Sequence, residues 1–126
     1  MTKFLQWNIR GLQANREKLD MLLSHIQPSV ICLQETFLKE NKTITFKGYS
    51  LFHSFAPEIN GIPHGGSAIL VSSSVPHTQL NLHTSLQAAA IRVTCRKTIT
   101  ASTFLHLWLL TLTIFMISYI SFLRPY

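Results

Sequence analysis

Two strand patterns separated by a helical pattern open the chain. Residues 3–9 alternate sufficiently to predict a β-strand that ends at Gly11, and the unbroken apolar run Val30–Leu33 is typical of a strand buried on both faces. Between them, apolar residues recur at i, i+3, i+4 and i+7 from Leu19, which predicts an amphipathic helix that Pro28 ends. The order strand, helix, strand is that of a βαβ unit.

A βαβ unit places its two strands side by side and parallel. Asn8 lies at the end of the first strand and Glu35 lies just after the second, so we expect their side chains to share a cleft at the same edge of the sheet. A carboxylate next to a carboxamide suits a hard divalent cation and a phosphate ester. Asn15 is a candidate N-cap for the intervening helix.

The remainder of the first hundred residues is strand-rich. Gly-, Pro- and Asn-rich residues from Pro57 to Gly66 predict a loop, and Gly65-Gly66 introduces another apolar strand. Strands are predicted at Thr43–Phe46, Tyr49–Phe55, Ser67–Val71, Thr78–His83 and Ala89–Cys95, with a further short one starting at Thr98. The pattern therefore predicts an α/β domain over residues 1–100.

Residues 101–126 have a different character. From Phe104 to Leu123 no residue is charged, and about 20 mostly apolar residues are long enough to span a bilayer as a helix. Three interpretations remain open: a shift of reading frame near Thr100, a membrane-spanning anchor, or a buried core helix. Each predicts a hydrophobic C-terminal segment that seeks lipid, a partner or another copy of itself.

Charge adds a second indication. Eleven Lys and Arg against five Asp and Glu give a net charge of +6, which favours a polyanionic partner such as nucleic acid or an anionic membrane face. No acidic residue follows Glu58, which favours instead a domain of which one part is missing. Cys32 and Cys95 lie in apolar, strand-like contexts, so we expect buried free thiols.

Three motifs together resemble the endonuclease/exonuclease/phosphatase family, and in particular the endonuclease that opens the polyprotein of jockey-type non-LTR retrotransposons. They are Trp7-Asn8-Ile9-Arg10-Gly11-Leu12, Ile31-Cys32-Leu33-Gln34-Glu35-Thr36 and Gly65-Gly66-Ser67-Ala68-Ile69-Leu70-Val71. The resemblance implies the first half of a four-layer α/β sandwich, without the sheet and helix layer that the second half would contribute. The apolar segment 104–123 adds a hydrophobic C-terminal helix to this expectation.

By the same resemblance, Glu35 is the metal ligand for a catalytic Mg²⁺, and Asn8 orients the metal and the phosphate. Gln34 and Thr36 flank the ligand, and the substrate is a phosphodiester of DNA that an activated water attacks. No small-molecule cofactor is implied. The family is nuclear or cytoplasmic, and a membrane location follows only if residues 104–123 insert.

The chain departs from the family in its second half. The family places a Tyr, an Asp-x-Asn site and an Asp-His pair there, yet no Asp follows Asp20. Because these groups carry out the acid and base steps, we expect a truncated and inactive retrotransposon endonuclease domain. The alternatives are a small single-span membrane protein with a non-catalytic head, and a basic nucleic-acid-binding remnant.

Overall fold

The computed structural model describes residues 3–39, 42–80, 87–94, 97–105 and 121–122. It contains one α-helix and ten β-strands in that part of the chain. In chain order they are β1 Phe4–Asn8, α1 Arg16–Ile26, β2 Val30–Gln34, β3 Tyr49–Ser54, β4 Glu58–Ile59, β5 Ile62–Pro63, β6 Ser67–Ser72, β7 His77–Leu80, β8 Gln87–Thr94, β9 Lys97–Leu105 and β10 Ser121–Phe122.

The first sheet has the strand order β1-β2-β6-β3. Strands β1 and β2 are parallel neighbours, with Phe4 opposite Val30 and Asn8 opposite Gln34. The predicted βαβ unit is therefore present. Strand β6 runs antiparallel to both of its neighbours, β2 and β3. All five residues of β2 are buried, as its continuous apolar sequence indicates for a central strand.

Helix α1 covers one face of this sheet. Its Leu19 and Leu23 are buried against Ile31, Leu33 and Leu70, and burying a leucine side chain contributes about 1.5–3 kcal/mol. The helix ends at Gln27, which adopts a left-handed conformation and donates its N–H to the Leu23 carbonyl. This ending lies directly before Pro28, as the sequence predicts.

The other face of the first sheet is covered by a second sheet with the order β10-β9-β8-β7. Val30, Cys32 and Ile69 pack there against Ile91 and Val93. The expectation that the chain lacks a second sheet layer is wrong, because β8 and β9 supply one. Burial in this core raises the pKa of the free Cys32 thiol to about 12, while Cys95 lies outside the described residues.

Two local expectations also need correction. Residues 43–46 form no strand, and Phe46 makes only an isolated bridge to Tyr49. The predicted loop from Pro57 to Gly66 contains the short hairpin of β4 and β5. Its turn residues Asn60 and Gly61 both have positive φ angles, of 54° and 77°, which is typical of a tight type I′ hairpin turn.

The hydrophobic C-terminal helix is not supported at either end of its predicted span. Phe104 belongs to β9 and Phe122 to β10. The Thr- and Ile-containing stretch from Lys97 onward favours a strand over a helix because β-branched side chains pack well on a pleated surface. Residues 106–120 lie outside the described part. Among the described residues no helix is long and apolar enough to cross a membrane.

Candidate active site

Three backbone segments meet at the edge where β1 and β2 end. The Ile9 N–H donates to the Gln34 carbonyl at 3.1 Å, and the Gly11 N–H donates to the Glu35 carbonyl at 2.7 Å. On the other side, the Thr36 N–H donates to the Gly66 carbonyl at 3.3 Å. The residues after β1, after β2 and before β6 are thus joined directly, and Asn8 and Glu35 lie at the same edge of the sheet.

A row of polar residues crosses the first sheet at this edge. Asn8 lies opposite Gln34, which lies opposite Ser67, which in turn lies opposite Ser54. These four share a face with Phe4, which packs against the second sheet, because alternate residues of a strand point the same way. Gln34 and Ser67 are fully buried. The row therefore lies between the two sheets, at the margin of their apolar core.

Asn8 carries a buried polar atom that lacks a partner. Its Oδ1 is inaccessible to solvent and accepts no hydrogen bond from any described residue. Leaving such an oxygen unsatisfied costs about 1–3 kcal/mol, so an unpaired buried group calls for an explanation such as an ion or a ligand. Asn8 thus offers an oxygen that a cation or a hydrogen-bond donor can use.

Glu35 is mostly buried and lies near one cation. Its side chain is 13% exposed, and its Oε2 lies 3.7 Å from Nε of Arg10, whose side chain is 78% exposed. This separation is longer than the 2.7–2.9 Å or so of a direct charge-assisted hydrogen bond. The pair is therefore electrostatic, and it leaves coordination positions free on the carboxylate.

Backbone strain is concentrated at this edge. Arg10, Glu35 and Phe37 have positive φ angles of 49°, 52° and 55°, a region that non-glycine residues seldom adopt. The hydrogen bond from the Phe37 N–H to the Gly65 carbonyl, at 2.9 Å, helps to hold this conformation. Strained residues gather where the surrounding structure imposes a particular geometry, which is common at functional sites.

The double glycine is explained by a close approach of the chain. A Cβ at Gly66 would lie 2.6 Å from Thr36 Oγ1 and 3.3 Å from the Ala56 Cβ. Gly66 also has a φ of +87°, which glycine alone adopts without cost. Only glycine therefore lets β6 begin so close to the strained segment after β2.

Asn15 is a positioning residue that the sequence pattern misassigns. It makes no side-chain cap on α1. Its Nδ2 instead donates to the carbonyls of Ile9, at 2.8 Å, and of Gly11, at 3.1 Å. These bonds tie down the loop that carries Arg10. The pattern predicted a cap because Asn is common at that position, and nothing local in the sequence distinguishes a side chain that points back toward β1.

The donor set at the edge fits part of a magnesium site. Carboxylate and amide oxygens are the hard ligands that Mg²⁺ takes, and the ion commonly keeps several waters with one or two carboxylates. Glu35 and the unpaired oxygen of Asn8 are of this kind. In the described residues no group of three or more His, Cys, Asp and Glu side chains is placed to hold a metal ion. A cation here would rely on water and phosphate oxygens for its remaining ligands.

A groove of about 430 Å³ adjoins this edge. The loop after β1 contributes Gly11 to one wall, while Thr36 and Phe37 from the segment after β2 contribute to another. Lys39 and Lys42 add positive charge to its lining. The groove therefore lies beside the candidate site, and neither Asn8 nor Glu35 is among its lining residues.

Comparisons with known proteins agree with this geometry. Residues 5–110 match the model of the Endonuclease/Exonuclease/phosphatase family. Because the match covers most of the chain, the chain belongs to that family. The predicted resemblance is confirmed at this level, and the parallel β1-β2 pair carries two of the three motifs on which it rests.

The chain is also similar in sequence to proteins of mobile elements. The chain is 34% identical over 74 residues to the RNA-directed DNA polymerase from mobile element jockey of Drosophila melanogaster, which is 59% of this chain and 8% of that protein. The resemblance to a jockey-type retrotransposon protein is thus confirmed. The chain spans less than a tenth of the length of this relative.

Two solved structures share the fold. The endonuclease domain of TRAS1, a telomere-specific non-LTR retrotransposon, has a TM-score of 0.63 at 20% identity, over 83% of this chain and 46% of that domain. A 3′ phosphatase from Neisseria, bound to a product DNA hairpin, has a TM-score of 0.52 at 19% identity, over 80% of this chain and 40% of that one. The chain spans less than half of either neighbour.

Proposed function

We propose that this chain is a retrotransposon endonuclease-type domain that engages a DNA phosphodiester at the edge carrying Asn8 and Glu35 but does not hydrolyse it alone. The observation that carries the proposal is the parallel pairing of β1 and β2, which brings the two residues to one edge. The family membership and the jockey relative support the same assignment.

In this proposal Glu35 is the ligand of a Mg²⁺ ion and Asn8 helps to orient both the metal and the phosphate. The cation would offset the negative charge that grows on the phosphate as a water attacks. The unpaired oxygen of Asn8 supports a role toward the metal, because it accepts no hydrogen bond within the described residues and an amide oxygen can face a cation but not the oxygens of an anionic phosphate. The low exposure of Glu35 also strengthens its attraction for a cation relative to a carboxylate in open water.

Hydrolysis also needs a base for the water and an acid for the departing oxygen. Of the other described carboxylates, Glu17 is exposed in the first turn of helix α1, and the remaining two are in ion pairs. Asp20 pairs with Arg16 along helix α1, and Glu58 pairs with Lys39 at 3.5 Å. With no Asp after Asp20 in the sequence, Glu35 would have to serve as both metal ligand and base. One carboxylate cannot efficiently do both, which supports the inactive assignment.

DNA is the proposed partner for two reasons, the positive charge of the chain and its family membership. The chain has a net charge of +6, and Arg10, Lys39 and Lys42 lie around the candidate edge and its groove. Basic groups in such a position neutralise phosphates and release counterions, so binding weakens as salt rises. The Neisseria neighbour holds a DNA hairpin in its structure.

The test compares the full chain with its Glu35→Gln variant on supercoiled plasmid in Mg²⁺. We expect both to bind the plasmid with a steep salt dependence and neither to nick it above a protein-free control. Binding shows that the protein is competent, so the absence of nicking can be interpreted. Nicking by the unmodified chain that disappears in Glu35→Gln would overturn the inactive assignment, and failure to bind DNA would overturn the proposed partner.

A further inference from the structure

Arg10 is paired with Glu35, the candidate metal ligand. Its Nε lies 3.7 Å from Glu35 Oε2, and both residues are held at positive φ angles on adjoining segments. The bond from the Gly11 N–H to the Glu35 carbonyl and the bond from Asn15 Nδ2 to the Ile9 carbonyl fix the backbone on either side of Arg10. The fold thus fixes the backbone of Arg10 at a position from which its guanidinium reaches the carboxylate.

A positive charge at this distance opposes a divalent cation on the same carboxylate. Repulsion between the guanidinium and the metal adds to the loss of the existing ion pair, and the low exposure of Glu35 reduces the screening by water. Arg10 is itself 78% exposed, so its side chain can move toward solvent. A phosphate can offer this guanidinium a close, two-point contact that matches its planar fork of donors, whereas its Nε now lies 3.7 Å from Glu35 Oε2.

We infer that Arg10 makes cation binding at Glu35 conditional on a phosphodiester at the same edge. Without phosphate, the guanidinium stays by Glu35 and the carboxylate holds a divalent cation poorly. With phosphate, Arg10 turns to the phosphate and releases Glu35 for the metal. Metal and phosphate therefore strengthen each other's binding, as linkage requires of two coupled sites. This inference rests on the proposed cation site.

The test measures Mn²⁺ affinity of the full chain by water-proton relaxation, without any nuclease assay. Dimethyl phosphate serves as a small phosphodiester, and an equal concentration of chloride serves as its control. The variants are Arg10→Gln, Glu35→Gln and their combination. Lys47→Gln is the matched control, because it removes one positive charge from an exposed residue that contributes nothing to the candidate site.

In chloride, we expect Arg10→Gln to bind Mn²⁺ at least about fivefold more tightly than the unmodified chain, which is the lower end of ordinary coupling effects. Lys47→Gln should stay within about twofold, since an exposed distant charge is screened by salt. Dimethyl phosphate should tighten Mn²⁺ binding to the unmodified chain and have little effect on Arg10→Gln. The double variant should lose the added affinity.

The results that would contradict the proposal distinguish the role of Arg10 from the existence of the cation site. Equal Mn²⁺ affinity in the unmodified chain and Arg10→Gln, lost in Glu35→Gln, would overturn the role of Arg10 while leaving the cation site standing. Weaker binding in Arg10→Gln, or an equal gain in Lys47→Gln, would overturn it as well. An absence of Glu35-dependent Mn²⁺ binding in every variant would overturn both the role of Arg10 and the proposed cation site.

Discussion

At the scale of single residues, the candidate edge depends on close contacts that leave little room for substitution. The position of Asn8 and Glu35 at one edge could be predicted, because in the local pattern Asn8 ends one strand and Glu35 directly follows the other. The remaining polar residues could not, since Ser54 and Ser67 join the row through antiparallel register between distant segments. The pairing of Arg10 with Glu35 likewise depends on two backbone conformations that strand periodicity does not encode.

The fit around Gly66 gives a prediction at this scale. Gly66→Ala should destabilise the protein more than Gly48→Ala, although both glycines have similar φ angles, of +87° and +79°. Forcing an alanine into this region costs about 1–2 kcal/mol at either position. At Gly66 the Cβ also meets Thr36 Oγ1 at 2.6 Å, whereas nothing lies within 4 Å of a Cβ at Gly48. We expect an additional loss of about 1–3 kcal/mol.

Urea unfolding followed by circular dichroism measures this difference. Thr36→Ala removes the obstructing oxygen. When both glycine substitutions are measured in the Thr36→Ala background, the loss of stability caused by Gly66→Ala should be smaller, and the loss caused by Gly48→Ala should be unchanged. Equal losses at the two glycines, or no recovery in the double variant, would mean that β6 does not approach the segment after β2 as closely as described.

At the scale of elements, the second sheet is the main finding beyond the sequence pattern. The strands β1, β2 and β6, helix α1 and the ending at Pro28 follow from periodicity and from residues that break helices. The stacking of β8 and β9 on the first sheet does not, because apolar alternation in a strand does not identify the face on which it packs. The predicted C-terminal helix was wrong at its ends for a related reason. Hydrophobicity alone does not separate a buried strand from a helix.

The packing of the second sheet can be tested through two neighbouring residues of β8. Ile91 is fully buried between the sheets, and the next residue, Arg92, is exposed. Ile91→Ala should lower the free energy of unfolding by about 2–5 kcal/mol, because it leaves a cavity in a packed core. Arg92→Ala should change it by less than about 0.5 kcal/mol. Similar values for the two variants in urea unfolding would show that β8 does not cover the first sheet.

At the scale of the whole molecule, three layers of structure position the edge of the first sheet that carries Asn8 and Glu35. Helix α1, the first sheet and the second sheet enclose two apolar cores, one on each face of the first sheet. A row of polar residues lies at one end of the core between the two sheets: Asn8, Gln34, Ser67 and Ser54. The segments with positive φ angles meet at this same end. The family could be predicted from three motifs. The position of the polar row between two sheets could not, because it depends on the stacking of the second sheet on the first.

The central claim is that a divalent cation binds at this edge through Glu35, and paramagnetic NMR tests it most directly. Substoichiometric Mn²⁺ is added to the isotope-labelled chain in the presence of dimethyl phosphate, and the loss of backbone amide signals is mapped. The strongest losses should fall on residues 9–12, 34–37 and 65–67, and they should vanish in Glu35→Gln. Losses that persist in Glu35→Gln, or that centre on Asp20 or Glu58 instead, would contradict the claim.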